Sequence, residues 1–145
     1  MRTVADILKS KTNQHVHTIG PAATVLEAIS LMAQYGIGAL VVVASEGRTI
    51  GIVTERDYAR KVVLMERSSY STEVRDIMTA DVITITPADT NEHCMTLMTE
   101  RRLRHLPVLE NGKLTGMISI GDLVKDIISE QQATIRQLES YIRGE

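Results

Sequence analysis

One segment of this chain occurs twice, and that duplication limits the possible folds more than any other feature. Gly51-Ile52-Val53-Thr54-Glu55-Arg56-Asp57 returns as Gly116-Met117-Ile118-Ser119-Ile120-Gly121-Asp122. Both copies read Gly, two apolar residues, a hydroxyl residue, two variable positions, then Asp. Each closes a longer repeat. Val16–Val63 lies over Val82–Ile128 with one gap, and the identities include Thr18/Thr84, Pro21/Pro87, Thr24/Thr90, Val42/Val108 and Gly47/Gly112. The segments ahead of the repeats also match, Val4-Ala5-Asp6-Ile7-Leu8 against Val74-Arg75-Asp76-Ile77-Met78. A period of about 66 residues, present only twice, fits a duplicated domain better than a solenoid array.

Both copies predict the same elements. A short strand (His15–Ile19; Val82–Thr86) ends at Pro. Thr24 or Thr90 then caps a helix with apolar residues at helical spacing: Val25, Ile29 and Met32, or Cys94, Leu97 and Met98. Two strand-like runs follow, Ala39–Val43 with Thr49–Val53, then Leu106–Leu109 with Leu114–Ser119. Glu46-Gly47 and Asn111-Gly112 join them, and Asn-Gly is a strong hairpin signal. Pro107 is placed at the start of its strand, where a missing N–H is tolerable. A final helix follows Asp57 or Asp122. The class is mixed α/β, each repeat running strand, helix, strand, strand, helix around a three-stranded sheet. Along the chain this gives a first repeat over residues 1–65, a polar linker over 66–73, a second repeat over 74–128 and a helical extension over 129–145. In that extension Val124, Ile128, Ile135, Leu138 and Ile142 form one apolar stripe on a helix expected to reach about Tyr141. The stripe suits either docking on the chain's own domain or contact with a second copy.

Composition narrows the function classes. A net charge of −2 argues against nucleic acid as the main partner. No run approaches the roughly 18 apolar residues of a membrane span, and the start lacks the pattern of a secretory signal. Phe and Trp are absent, so Val, Ile, Leu and Met must build the core. The single Cys94 forms no internal disulfide and sits among apolar helical residues, so a reducing cytoplasm is the expected setting. His15 and His17 could touch a metal but lack further ligands, and none is expected. Glu55 and Asp57 could be imagined as an acid/base pair, yet nothing suggests a bond to cleave. No nucleophile–base arrangement stands out, so an enzyme is not expected.

The repeated segment has two readings. Ser/Thr-x-x-Asp/Glu ahead of an apolar run is a capping box, and Thr24-Val25-Leu26-Glu27 carries that pattern with no other sign of function. The second reading is a ligand site. A helix N-terminus suits phosphate, a neighbouring carboxylate can accept hydrogen bonds from the hydroxyls of a ribose, and a strand Gly three residues earlier lets a ligand approach the backbone.

The two copies resemble CBS domains, and the whole chain resembles a tandem CBS pair, or Bateman module, with no catalytic domain attached. The resemblance is carried by the two Gly-to-Asp segments and by Arg104-His105-Leu106-Pro107-Val108. It implies two repeats packed about a pseudo-twofold axis, with clefts for adenosine compounds such as AMP, ADP, ATP, NAD or S-adenosylmethionine. It implies that Asp57 and Asp122 bind ribose hydroxyls. Thr54 and Ser119 would contact phosphate or ribose, and Thr18 and Thr84 would lie beside the base. Arg104 and His105 match basic positions that reach phosphate in some relatives, and Arg56 is a further candidate. The resemblance also implies a homodimer and regulation of another protein, whose identity is open.

The copies differ where a phosphate would sit. Gly38-Ala39 stands where the second copy has Arg104-His105, and Arg56 stands against Gly121. Two sites of unequal affinity, or for different ligands, are therefore expected. The alternative is a dimerising adaptor in which both Ser/Thr-x-x-Asp segments only cap helices.

Overall fold

The structure is a computed structural model and describes residues 2–11 and 15–144. Its elements are α1 (Val4–Ser10), β1 (Thr18–Ile19), α2 (Val25–Tyr35), β2 (Ala39–Val43), β3 (Thr49–Thr54), α3 (Glu55–Tyr58), α4 (Asn91–Arg101), β4 (His105–Glu110), β5 (Lys113–Ser119) and α5 (Ile120–Arg143). A π-helical turn, Ala59–Val63, continues α3, and a 3-10 turn, Val74–Asp76, opens the second lead-in. The class is mixed α/β, as the alternation of strand and helix patterns predicts.

Contacts divide the chain into two compact units that do not follow chain order. One holds residues 15–84 and 110–115; the other holds 1–14, 85–109 and 116–145. The lead-in of each repeat therefore packs on the body of the other. The backbone shows the exchange bond by bond. Val74 N–H donates to the Ala23 carbonyl (2.8 Å) and Arg75 N–H to Pro21 (3.0 Å). At the matching positions, Val4 N–H donates to Asp89 (2.8 Å) and Ala5 N–H to Pro87 (3.0 Å). The polar stretch before Val74 is tied in as well. Thr72 is buried and its carbonyl accepts from Val25 N–H at 2.9 Å.

In the unit holding the first body, β1 runs parallel to β2, and β2 antiparallel to β3. Ile19, Val25, Met32, Leu40, Val42 and Val53 form its core, completed by Val74 and Ile77 from the second lead-in. Thr24 Oγ1 caps α2, and Gly36 ends it in a left-handed conformation.

In the second repeat β4 and β5 form a two-stranded sheet. The strand expected over Val82–Thr86 is only an isolated bridge, Ile85 to Val108. Pro107 supplies the reason. In the first body Val41 N–H donates to the His17 carbonyl. Pro107 occupies the place of Val41 and has no N–H, so the matching bond to Ile83 cannot form. Pro107 lies inside β4 rather than at its start. The first copy's strand is also shorter than the expected His15–Ile19. Asn111 and Gly112 both have positive φ (53° and 79°), as the hairpin signal requires. Val4, Ile7, Cys94, Met98, Leu106, Val108, Ile118 and Leu123 are buried in the unit holding residues 85–109 and 116–144. Cys94's thiol is pushed up to about 11, by burial first and then by the charge of Asp89, which leaves it unreactive near neutral pH.

Candidate functional site

Both repeated segments form the same strand-to-helix corner. At the first, Asp57 N–H donates to Thr54 Oγ1 (3.1 Å), while Thr54 N–H donates to Asp57 Oδ2 (3.0 Å). At the second, Asp122 N–H donates to Ser119 Oγ (3.1 Å), while Ser119 N–H donates to Asp122 Oδ2 (2.8 Å). These are reciprocal capping boxes. Hydroxyl and carboxylate are thus locked together at the first turn of a helix, where backbone N–H groups and the helix dipole favour anions. Thr3 and Asp6 make an identical box at the start of α1, so the geometry alone does not distinguish a ligand site from a cap.

Each carboxylate is also met by a lysine that the pattern of the repeats does not reveal. Lys11 Nζ lies 2.9 Å from Asp122 Oδ2 and donates to the Met117 carbonyl at 2.8 Å. Lys61 Nζ lies 3.3 Å from Asp57 Oδ1 and donates to the Ile77 carbonyl at 2.8 Å. Burial pushes the Asp122 carboxyl up, but the Ser119 N–H and the Lys11 ammonium outweigh it and hold the group below the ordinary carboxylate value. Asp122 is therefore an anion at neutral pH.

The strand glycines have a structural reason different from ligand approach. A Cβ on Gly51 would lie 2.5 Å from Met78 Sδ, and one on Gly116 would lie 2.7 Å from Leu8 Cδ2. Met78 and Leu8 are matching lead-in residues, so the glycines admit the exchanged lead-ins.

The remaining candidates divide between the units. Thr18, Arg56 and Thr84 belong with Thr54 and Asp57; Arg104 and His105 belong with Ser119 and Asp122. Thr18 and Thr84 are exposed. Thr18 also lines a groove of about 570 Å³ with Val43, Arg48 and Lys113, and neither Thr54 nor Asp57 reaches that groove. Arg56 and Arg104 are exposed, and neither makes an ion pair among the described residues. The Arg104 carbonyl accepts from Ile120 N–H at 2.8 Å, and the Gly38 carbonyl accepts from Glu55 N–H at 3.1 Å. Gly38 and Arg104 thus hold equivalent places beside the two corners, and only the second place carries a cation. His105 begins β4, partly buried. Burial is the main cause lowering its pKa, Lys11 and Arg104 add to that, and Asp122 opposes it. Among the described residues no group of three or more His, Cys, Asp or Glu could hold a metal, and no helix is long and apolar enough to cross a membrane.

Duplicated α/β bodies, each with a hydroxyl–carboxylate corner opening a helix, define a tandem-repeat class of fold. The CBS domain pattern matches residues 4–64 and 74–129, and the chain belongs to the CBS domain family. It is 40% identical, over 98% of its length and 72% of the relative's, to the mitochondrial CBS domain-containing protein CBSX3 of Arabidopsis thaliana. A solved CBS-domain protein of Burkholderia ambifaria MC40-6, described as a signal-transduction protein, shares 56% identity and a TM-score of 0.85 over 89% of this chain and 96% of that one. The CBS domain pair of protein MJ0100, solved with 5′-methylthioadenosine and S-adenosyl-L-methionine, has the same fold (TM-score 0.80) at 22% identity over 90% of this chain and 98% of that one.

Proposed function

We propose that this chain is a regulatory module that binds an adenosine nucleotide (AMP, ADP, ATP or NAD) at the corners around Asp57 and Asp122, and acts in trans on another protein in the cytoplasm. One observation carries the reading. The same hydroxyl, carboxylate and ammonium are assembled at both corners, each at a helix N-terminus. In this reading the carboxylate accepts the ribose diol, and the helix N-terminus with Arg56, Arg104 and His105 meets phosphate. Thr54 and Ser119, bonded to the carboxylates, contact phosphate or ribose. Thr18 and Thr84 flank the base, and Arg56, Arg104 and His105 give the two sites unequal charge. A CBS pair holding adenosine compounds in MJ0100 supports the ligand class.

Thermal melting with AMP, ADP, ATP and NAD tests it. At a hundredfold excess over Kd a ligand adds about 2.7 kcal/mol, a rise of roughly 3–8 °C in Tm for a chain this size. Both aspartates also cap helices, so the informative variants are Asp57→Asn and Asp122→Asn, which keep a capping residue and remove the charge. An unmoved melt with every ligand, or binding unaffected in the double variant, overturns the proposal.

The second reading, a dimerising adaptor, is favoured by one observation on α5. Ile128, Ile135, Leu138 and Ile142 are 48%, 53%, 57% and 81% exposed along its length. Light scattering on a chain truncated after Ile128 tests it. A dimer that becomes a monomer supports this assembly role, and a mass unchanged apart from the deletion removes it.

A further inference from the structure

We propose that Lys11 and Lys61 are the phosphate-reading residues of the two corners, each working beside the carboxylate that takes the ribose; this rests on the nucleotide-binding reading above. The two lysines do not occupy matching positions in the duplication. In the register of the lead-ins Lys11 stands against Asp81, and in the register of the bodies Lys61 stands against Asp126. Each unit therefore holds one lysine at its carboxylate, delivered from opposite elements. In one it comes from the lead-in, at the end of α1; in the other it comes from the body, four residues beyond Asp57. The two positions without lysine carry Asp. Duplication alone would have copied a lysine into the same element twice. The same ammonium–carboxylate pair reached from two different positions points to a requirement of the corner itself.

The chemistry of that requirement is specific. A nucleotide's ribose offers hydroxyl donors, and its phosphate offers only acceptors. A lone aspartate would bind the first and repel the second. An aspartate paired with an ammonium presents acceptor and donor side by side. Each ammonium carries three N–H donors. At Lys11 one meets Asp122 and one the Met117 carbonyl; at Lys61 one meets Asp57 and one the Ile77 carbonyl. Among the described residues no further acceptor meets either ammonium, which leaves an N–H for a phosphate oxygen without breaking the pair. The lysine side chains are 25% and 44% exposed, so a ligand can reach them from solvent. Arg56 and Arg104 each lack a basic counterpart in the other copy, whereas each corner has a lysine ion-paired to its aspartate.

The test compares AMP with adenosine, which share the ribose and differ in the phosphate, by titration calorimetry. Its proteins are the intact chain, Lys11→Met, Lys61→Met, the double variant and the two Lys→Arg variants. Loss of a charge-assisted contact predicts that the double variant binds AMP at least about tenfold more weakly and adenosine within about twofold of the intact chain. Lys→Arg should retain most of the AMP affinity. Equal weakening of AMP and adenosine would reduce the lysines to structural straps and overturn the proposal, and so would no change in either. An intact chain that binds neither compound, and whose melt ADP, ATP and NAD also leave unmoved, overturns the nucleotide reading itself, a different result from one that binds both without discrimination by the variants; if only ADP, ATP or NAD binds, the same variants are compared with that nucleotide against adenosine. Melting without ligand checks that each variant folds, and Lys→Gln replaces any Lys→Met variant that does not.

Discussion

Gly116 and Gly51 are where single atoms decide the packing. Leu8 presses on one and Met78 on the other, closer than any Cβ would allow. Gly116→Ala should cost about 1–3 kcal/mol by overpacking. Shortening the neighbour with Leu8→Ala should recover part of that loss, so the double variant should be more stable than the sum of the singles implies. Urea unfolding of the four proteins measures it; strict additivity would mean that the glycine is needed for some other reason. The glycines were visible in the sequence as a repeated feature. Their reason was not, because the side chain that fills the space comes from a distant lead-in on the other repeat. Titration sets a second expectation. His105 and His17 both have pKa values held below the ordinary 6.5, chiefly by burial, with Lys11, Arg104 and Asp122 facing His105 and His15 facing His17. The native state therefore favours the neutral rings. Well above pH 6.5 neither the folded nor the unfolded chain is protonated there. As pH falls through that value the unfolded chain takes up protons first, so stability drops until the lower folded values are reached. Tm should fall between about pH 7.5 and 5, and less steeply in His105→Gln with His17→Gln. Asp122 acts at more acid pH: its folded value lies below 3.8, so its contribution is intact above 3.8 and is lost as pH falls through the folded value.

At the scale of elements, α5 departs most from its counterpart. The first copy's helix is four residues and a π turn, whereas α5 runs for 24 residues. A polar cluster ties down its first half. Asp126 is buried, and Arg2 Nε pairs with it. Asn91 Nδ2 donates to Asp126 Oδ2 at 3.1 Å and to Glu130 Oε1 at 2.8 Å. Asp126→Ala would leave Asn91 buried with one partner fewer and Arg2 unpaired, and should cost about 3 kcal/mol in chemical unfolding. A loss below about 1 kcal/mol would show that the cluster contributes little. The helix stripe was legible because apolar spacing is a local property. The polar clamp was not, since its members come from the N-terminus, the start of α4 and the middle of α5. The same contrast explains the strands. The Asn111-Gly112 hairpin follows from local backbone preference, but the missing strand near Ile85 depends on a proline in the partner strand. Pro107→Val restores an N–H where Val41 has one. It should lengthen the bridge into a ladder, seen as slowed hydrogen exchange at the new amide of position 107; fast exchange there would reject the explanation.

For the whole molecule, the exchange of lead-ins makes the repeats read along the chain and the units packed in space two different partitions. The duplication, the elements and the two corners can be read by aligning the chain with itself. Which lead-in docks on which body cannot, because both lead-ins carry nearly the same apolar residues. The partition has a consequence for fragments. A chain ending at residue 73 contains the whole first repeat but lacks Val74 and Ile77, which are fully buried in its body. Each such side chain contributes about 1.5–3 kcal/mol through burial, so the deficit is about 3–6 kcal/mol against a total stability of about 5–15 kcal/mol. A fragment spanning residues 15–84 lacks the first lead-in but retains both core residues and Met78 against Gly51. It should show the greater helical dichroism and the more cooperative urea transition, although it is the shorter of the two and cuts across the repeats. If the fragment ending at residue 73 proves as stable or more so, the first body does not depend on the second lead-in, and the packing of Met78 against Gly51 is dispensable for that unit.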